Sequence, residues 1–136
     1  MDLQEFNRTI IEEFRANRGM LAGQFKGAPM LLLTTTGAKS GLGRINPLAY
    51  LADGERFVIF ASYAGAPTNP PWFYNLVANP DVVVEVGSER FGARADLVAE
   101  PERTTLYRKM AAAMPAFSDY ESKTTRAIPV IALRRK

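Results

Sequence analysis

Lys39, Ser40 and Arg44 are interleaved with Gly37, Gly41 and Gly43 in one short stretch. Two cations, a hydroxyl and the backbone N–H groups of a glycine-rich turn can converge on a single anion, so the chemistry this stretch suits is the binding of a phosphate or carboxylate. A solvated hairpin loop uses the same residue types, and composition alone leaves both readings open. Two nucleotide motifs do not fit. Ala38 separates Gly37 from Lys39 and Leu32 stands where a P-loop needs its first glycine. Gly41-Leu42-Gly43 leads into Asn46-Pro47, and a residue before proline favours extended backbone over the helix that a dinucleotide fingerprint requires.

The chain has neither cysteine nor histidine among its 136 residues. Disulfides, thiolate nucleophiles, Ser-His-Asp triads and nearly all zinc or transition-metal sites are thereby excluded, leaving carboxylates for hard cations. Demanding chemistry therefore falls to a bound organic cofactor, or to Tyr, Ser, Lys, Asp and Glu alone. Seventeen basic residues against 14 acidic ones give a net charge of +3, which suits an anionic small ligand. No basic run interleaved with aromatics is present, so nucleic acid is not an expected partner. No apolar run reaches the roughly 20 residues that span a bilayer, and the first residues lack the basic start and apolar stretch of a signal peptide, which points to the cytoplasm.

The elements that must position these groups follow from periodicity. Leu3, Phe6, Ile10, Ile11 and Phe14 recur at helical spacing between Asp2 and Arg18, with Asp2 and Glu5 as a capping box. This amphipathic helix either packs across one mouth of the fold or, through Arg8, Arg15, Arg18 and the linker residues Leu21, Phe25 and Lys26, lies on an anionic membrane surface. Leu31 to Thr36 reads as a strand, and extended runs follow at Pro47 to Leu51 and Arg56 to Ser62, the last two joined by Asp53-Gly54. Asn69 is placed to cap a helix over Pro70 to Val77. Asp81 to Val86 and Phe91 to Val98 form a second hairpin, and Pro101 to Met114 a third helix. The segment from Pro115 to Arg126 reads as irregular, and Ile128 to Leu133 as a final strand. Short β-β links imply antiparallel pairing, and six such strands with flanking helices predict a mainly β, closed or partly closed barrel. Residues 1–28 would be an N-terminal helix and linker, and residues 29–136 the barrel, within a single domain.

Taken together, Thr34 to Gly41, Arg44 to Pro47, Ala61-Ser62, Asn69 to Leu76, Asn79-Pro80, Asp119-Tyr120 and Arg126 to Pro129 resemble the deazaflavin-dependent nitroreductase family. The resemblance covers about Leu31 to Val130. It implies a split β-barrel, coenzyme F420 as cofactor, and hydride transfer from reduced F420 to a menaquinone-like quinone, a nitroaromatic or another activated acceptor. Carried over by position, Ala38, Lys39 and Ser40 would be the phosphate loop, and Arg44, Ile45, Asn46, Pro47, Leu48 and Ala49 the next cofactor segment. Phe60, Ala61, Ser62 and Tyr63 would be a strand end beside the deazaflavin, and Trp72, Phe73, Tyr74, Asn75 and Leu76 a helix walling the ring. Tyr120 matches a tyrosine that faces ring and acceptor. Two positions depart from the family's pattern: Ala38, where a basic residue is common, and Tyr63, where some members carry lysine, which implies a weaker or displaced grip on phosphate and tail.

For the reaction itself, Tyr120 and Ser62 are the candidate catalytic donors. A phenol with an ordinary pKa near ~10 donates a hydrogen bond more readily than it accepts a proton, and either hydroxyl could stabilise charge on an acceptor oxygen. An FMN-dependent split-barrel oxidoreductase and a non-catalytic F420 carrier are the alternatives.

Overall fold

The computed structural model describes residues 3–136, with the side chain of Leu3 and the capping residue Asp2 outside the described set. Helix α1 spans Leu3–Ala16, followed by strands β1 (Met30–Thr36), β2 (Gly43–Ala49), β3 (Leu51–Asp53) and β4 (Arg56–Phe60). Helix α2 (Pro71–Ala78) leads to β5 (Asp81–Val86) and β6 (Glu89–Leu97), then α3 (Glu102–Ala113), α4 (Ala116–Ser122) and β7 (Val130–Arg135).

The strands form one seven-stranded sheet in the order β2-β1-β5-β6-β7-β4-β3, antiparallel at every pairing. Its two end strands, β2 and β3, are consecutive in the chain and separated only by Tyr50. That single residue draws the ends of the sheet together without pairing them, which is a split barrel. The expectation of six strands is corrected to seven, because Pro47 to Leu51 is not one strand. β2 begins at Gly43, pairing Gly43 with Thr36 and Ala49 with Met30, and the chain breaks at Tyr50 before β3. Pro47, which has no N–H to give a ladder, sits in β2 because that strand is an edge with β1 as its one partner.

Leu31, Leu32 and Leu33 are all fully buried, so this run lacks the polar alternation of a half-exposed strand. Leu31 and Leu33 face the barrel interior with Ile59, Val84, Ile131 and Leu133. Leu32 faces the other way and packs on Ile10, Phe14 and Leu21. Helix α1 therefore covers the outer face of β1 and β2 rather than a mouth of the barrel. The membrane-surface reading of this helix loses its basis, since Ile10 and Phe14 are already buried against the sheet. Burying such a side chain contributes roughly 1.5–3 kcal/mol. Arg15 fixes the register of the helix by donating from Nε and Nη2 to the two carboxylate oxygens of Glu85 on β5, at 3.0 and 2.8 Å. Among the described residues no helix is long and apolar enough to cross a membrane.

On the other outer face, α3 and α4 bring Leu106, Tyr107, Met110 and Phe117 onto Val58, Phe60, Ile128 and Val130. The segment expected to be irregular contains α4. Pro115 takes helical backbone at its N-cap and Phe117 anchors it between Phe60 and Tyr107. The polar residues Ser118, Asp119 and Ser122, which suggested a loop, stand on its exposed side.

Candidate functional site

The turn from β1 to β2 is closed by its own backbone. Gly37 N–H donates to Leu42 O at 2.7 Å, Gly41 N–H to Gly37 O at 2.9 Å, and Leu42 N–H to Ser40 Oγ at 3.2 Å. A Cβ at position 37 would stand 2.5 Å from Ser40 Oγ, so glycine there is what lets the serine side chain fold beneath the turn. A fourth amide, Ala38 N–H, donates to Asn75 Oδ1 on α2 at 3.0 Å, while Asn75 Nδ2 donates to Thr35 Oγ1 at 3.3 Å. Helix α2 thus fixes the turn from the side.

This accounting narrows the anion cradle read from the sequence. Among the described residues the amides of Lys39 and Ser40 have no protein acceptor, and the Ser40 hydroxyl, already accepting from Leu42, can still donate. Lys39 and Arg44 are exposed and in no ion pair among the described residues. The donor set is two free amides, one hydroxyl and two free cations. It fits a phosphate, because every group is a donor and no carboxylate is bonded to the turn.

The pleat divides the Arg44 to Ala49 segment between two faces. Arg44, Asn46 and Leu48 pair with Thr35, Leu33 and Leu31, on the face turned to the barrel interior. Ile45 packs with Met30 and Leu32 beneath α1. All positions from Ile45 to Ala49 are half-buried, but side chains on opposite faces cannot meet one ligand together. Within this segment only Arg44, Asn46 and Leu48 therefore share one face, and the positions between them could meet the same ligand only through their backbone.

On α2, the five predicted wall residues also separate. Trp72 and Leu76 are 5% and 2% exposed and lie in the barrel core with Leu31 and Leu33. Tyr74 is exposed on the outward side of the helix, while Phe73 and Asn75 are half-buried on its flanks, Phe73 packed against the core and Asn75 bonded to β1 and the turn. Phe60 and Ala61 are likewise buried, and the Phe60 ring packs edge-on to Tyr107. Asn69, expected to cap α2, makes no such cap. Pro70 occupies that position, and Asn69 Oδ1 accepts from Arg126 instead.

After β4 the backbone enters a turn of unusual shape. Tyr63 and Ala64 both have left-handed φ, 48° and 54°, at a cost on the order of 1 kcal/mol each for a residue with a Cβ. Gly65, at φ 82°, lies so close to α4 that a Cβ would be 2.9 Å from Tyr120 O and 2.8 Å from Lys123 Cβ. The turn is thus pressed against the helix that carries Tyr120. The turn that follows Ser62 and the helix of Tyr120, far apart in sequence, are thereby packed together. The Tyr120 ring is half-buried on Phe117, 5.2 Å between centroids, on a helix rather than in a loop. Neither hydroxyl has a hydrogen-bond partner among the described residues, and no buried side-chain oxygen is orphaned, so both hydroxyls reach the surface.

Arg126, the first residue of the Arg126 to Pro129 stretch, is half-buried. Its guanidinium donates to Ala66 O, Ala61 O, Asn69 Oδ1 and Ser62 O at 2.9, 3.1, 2.6 and 2.8 Å. Two clefts lie elsewhere. One of about 840 Å³ is lined by Glu13, Met20, Leu21 and Lys26 near α1, and one of about 160 Å³ by Arg15, Arg18 and Glu85. No predicted site residue lines either.

A split barrel, a turn whose free amides and cations suit an anion, and two hydroxyls without protein partners among the described residues are the features of a protein able to hold an anionic organic cofactor. The comparisons make this specific. The family model for F420H(2)-dependent quinone reductases matches residues 6–135, and the chain belongs to that family, whose cofactor is coenzyme F420. It is 39% identical over 127 residues to an F420H(2)-dependent quinone reductase of Mycobacterium tuberculosis strain H37Rv, covering 90% of this chain and 85% of that protein. Among solved structures, one titled as an F420-H2 dependent reductase superposes with a TM-score of 0.72 at 36% identity, over 78% of this chain and 94% of the other. Another, described as a domain-swapped dimer, gives 0.74 at 31% identity over 97% and 96%.

Proposed function

We propose that this protein transfers a hydride from reduced F420 to a quinone or nitroaromatic acceptor. The observation that carries the reading is the donor set of the Gly37–Gly43 turn, in which, among the described residues, two amides and two cations are left without protein partners while the amides of Gly37, Ala38, Gly41 and Leu42 are bonded and the turn is tied to α2. Lys39, Ser40 and Arg44 would hold the cofactor phosphate as charge-assisted donors. Asn46 and Leu48, with backbone near Pro47, would meet the ring from β2, and Phe73, Tyr74 and Asn75 from α2. Trp72, Leu76, Phe60 and Ala61 would support these elements from behind.

When bound, the reduced deazaflavin supplies the hydride. The protein's own part is to hold the acceptor against it, limit water, and place O–H donors at the acceptor oxygen where negative charge gathers. Ser62 and Tyr120 are those donors. The test is anaerobic oxidation of reduced F420 by the purified protein with menadione and with a nitroaromatic, alongside titrations with F420 and FMN. Turnover with saturable F420 binding is the expected result. Tight FMN binding with no F420 binding would overturn the cofactor assignment, and F420 binding without turnover would make the protein a carrier.

A further inference from the structure

Arg126 commits four of its five N–H donors to one short segment. Nε donates to Ala66 O, Nη1 to Ala61 O and Asn69 Oδ1, and Nη2 to Ser62 O. The segment is the costly one: it contains the consecutive left-handed residues Tyr63 and Ala64, and nothing in their side chains favours that geometry. It also runs from the end of β4 to the start of α2, joining Ser62 to the helix whose Asn75 fixes the phosphate turn. Arg126 is half-buried, its acceptors are all uncharged oxygens, and no carboxylate lies within ion-pair distance among the described residues. A lysine has one point of donation where the guanidinium has a planar fork, so it cannot satisfy acceptors spread from residue 61 to residue 69.

We propose that Arg126 is a positioning residue for the hydride transfer proposed above, on which this inference rests: its fork holds the Ala61–Asn69 turn in the shape that fixes Ser62 at the end of β4 and seats Gly65 against the helix of Tyr120. A residue acting this way controls the rate of the chemical step more than the binding of the cofactor, whose phosphate is held elsewhere, by Lys39 and Arg44.

The test compares wild type, Arg126→Lys and Asn69→Ala. Hydrogen exchange of the ligand-free proteins should quicken about tenfold in the peptide from residue 61 to residue 69 in Arg126→Lys, with peptides of β1 and β5 unchanged. The kcat for oxidation of reduced F420 should fall at least tenfold, while the Kd for F420 stays within threefold. Asn69→Ala, which removes a single acceptor and leaves the guanidinium in place, should lower kcat about threefold, and it keeps the question decidable if Arg126→Lys does not fold. Unchanged exchange in the turn, an unchanged kcat in either folded variant, or a loss of F420 affinity equal to the loss of rate would overturn the proposal. Absence of turnover in the wild-type protein would instead remove the functional reading, and the exchange result would still show whether Arg126 orders the turn.

Discussion

Arg44 and Lys39 are exposed and form no ion pair among the described residues, and that isolation gives each a measurable consequence. Arg44→Ala should weaken F420 binding by about 1.5–3 kcal/mol, the worth of a hydrogen bond to a charged group, or roughly ten- to 150-fold in Kd. Its melting temperature should stay within about a degree of wild type, because the side chain is exposed and in no ion pair or hydrogen bond among the described residues. A fluorescence titration with F420 beside a thermal melt separates the two effects. The turn around these residues was legible locally, since glycines and cations in alternation are a property of adjacent positions. What was not legible is which amides remain free. Asn75 takes Ala38 N–H from 37 positions away, and only the docking of α2 onto the end of β1 decides that.

At the scale of elements, α1 depends on an ion pair whose two ends differ sharply in exposure. Glu85 is 8% exposed, whereas the Arg15 side chain is about half open to solvent. Removing the arginine leaves a buried carboxylate without its bidentate partner, so Arg15→Ala should cost about 1–3 kcal/mol in a urea titration. Arg8→Ala, on the exposed side of the same helix, should change stability by less than about 0.5 kcal/mol. The amphipathic helix itself was readable from the spacing of Ile10 and Phe14. Its partner was hinted at by Leu31 to Leu33, a run with no polar member, since a strand covered on both faces does not alternate. The misreading of α4 has the opposite origin. Serines and aspartate on an exposed helical face have the composition of a loop, and the anchoring of Phe117 against Phe60 and Tyr107 comes from residues distant in the chain.

For the whole molecule, the second apolar layer under α3 and α4 is tied by Tyr107, whose hydroxyl donates to Phe117 O at 2.7 Å. Burial pushes this phenol up from 10.0 to about 12. A folded pKa above the unfolded one means that the neutral phenol's contribution is intact below about pH 10 and is lost as pH rises toward 12. Tyr107→Phe should therefore cost about 1 kcal/mol at pH 7 for the lost hydrogen bond, and the gap between the two proteins should close between pH 10 and 12. Urea midpoints across that range test both statements.

The sequence by itself determined the mainly antiparallel β architecture and a glycine-rich, cationic turn with the composition of an anion site, and it left demanding chemistry to an organic cofactor or to Tyr, Ser, Lys, Asp and Glu, because strand patterning, glycine placement and the missing imidazoles and thiols are properties of the chain alone. Only the tertiary structure decided which face each residue of β2 presents, that Trp72 and Leu76 turn inward, and that Arg126 gathers the carbonyls of Ala61, Ser62 and Ala66 with the side chain of Asn69. Those outcomes depend on the curl of the sheet and on contacts between distant segments, which neighbouring residues do not specify.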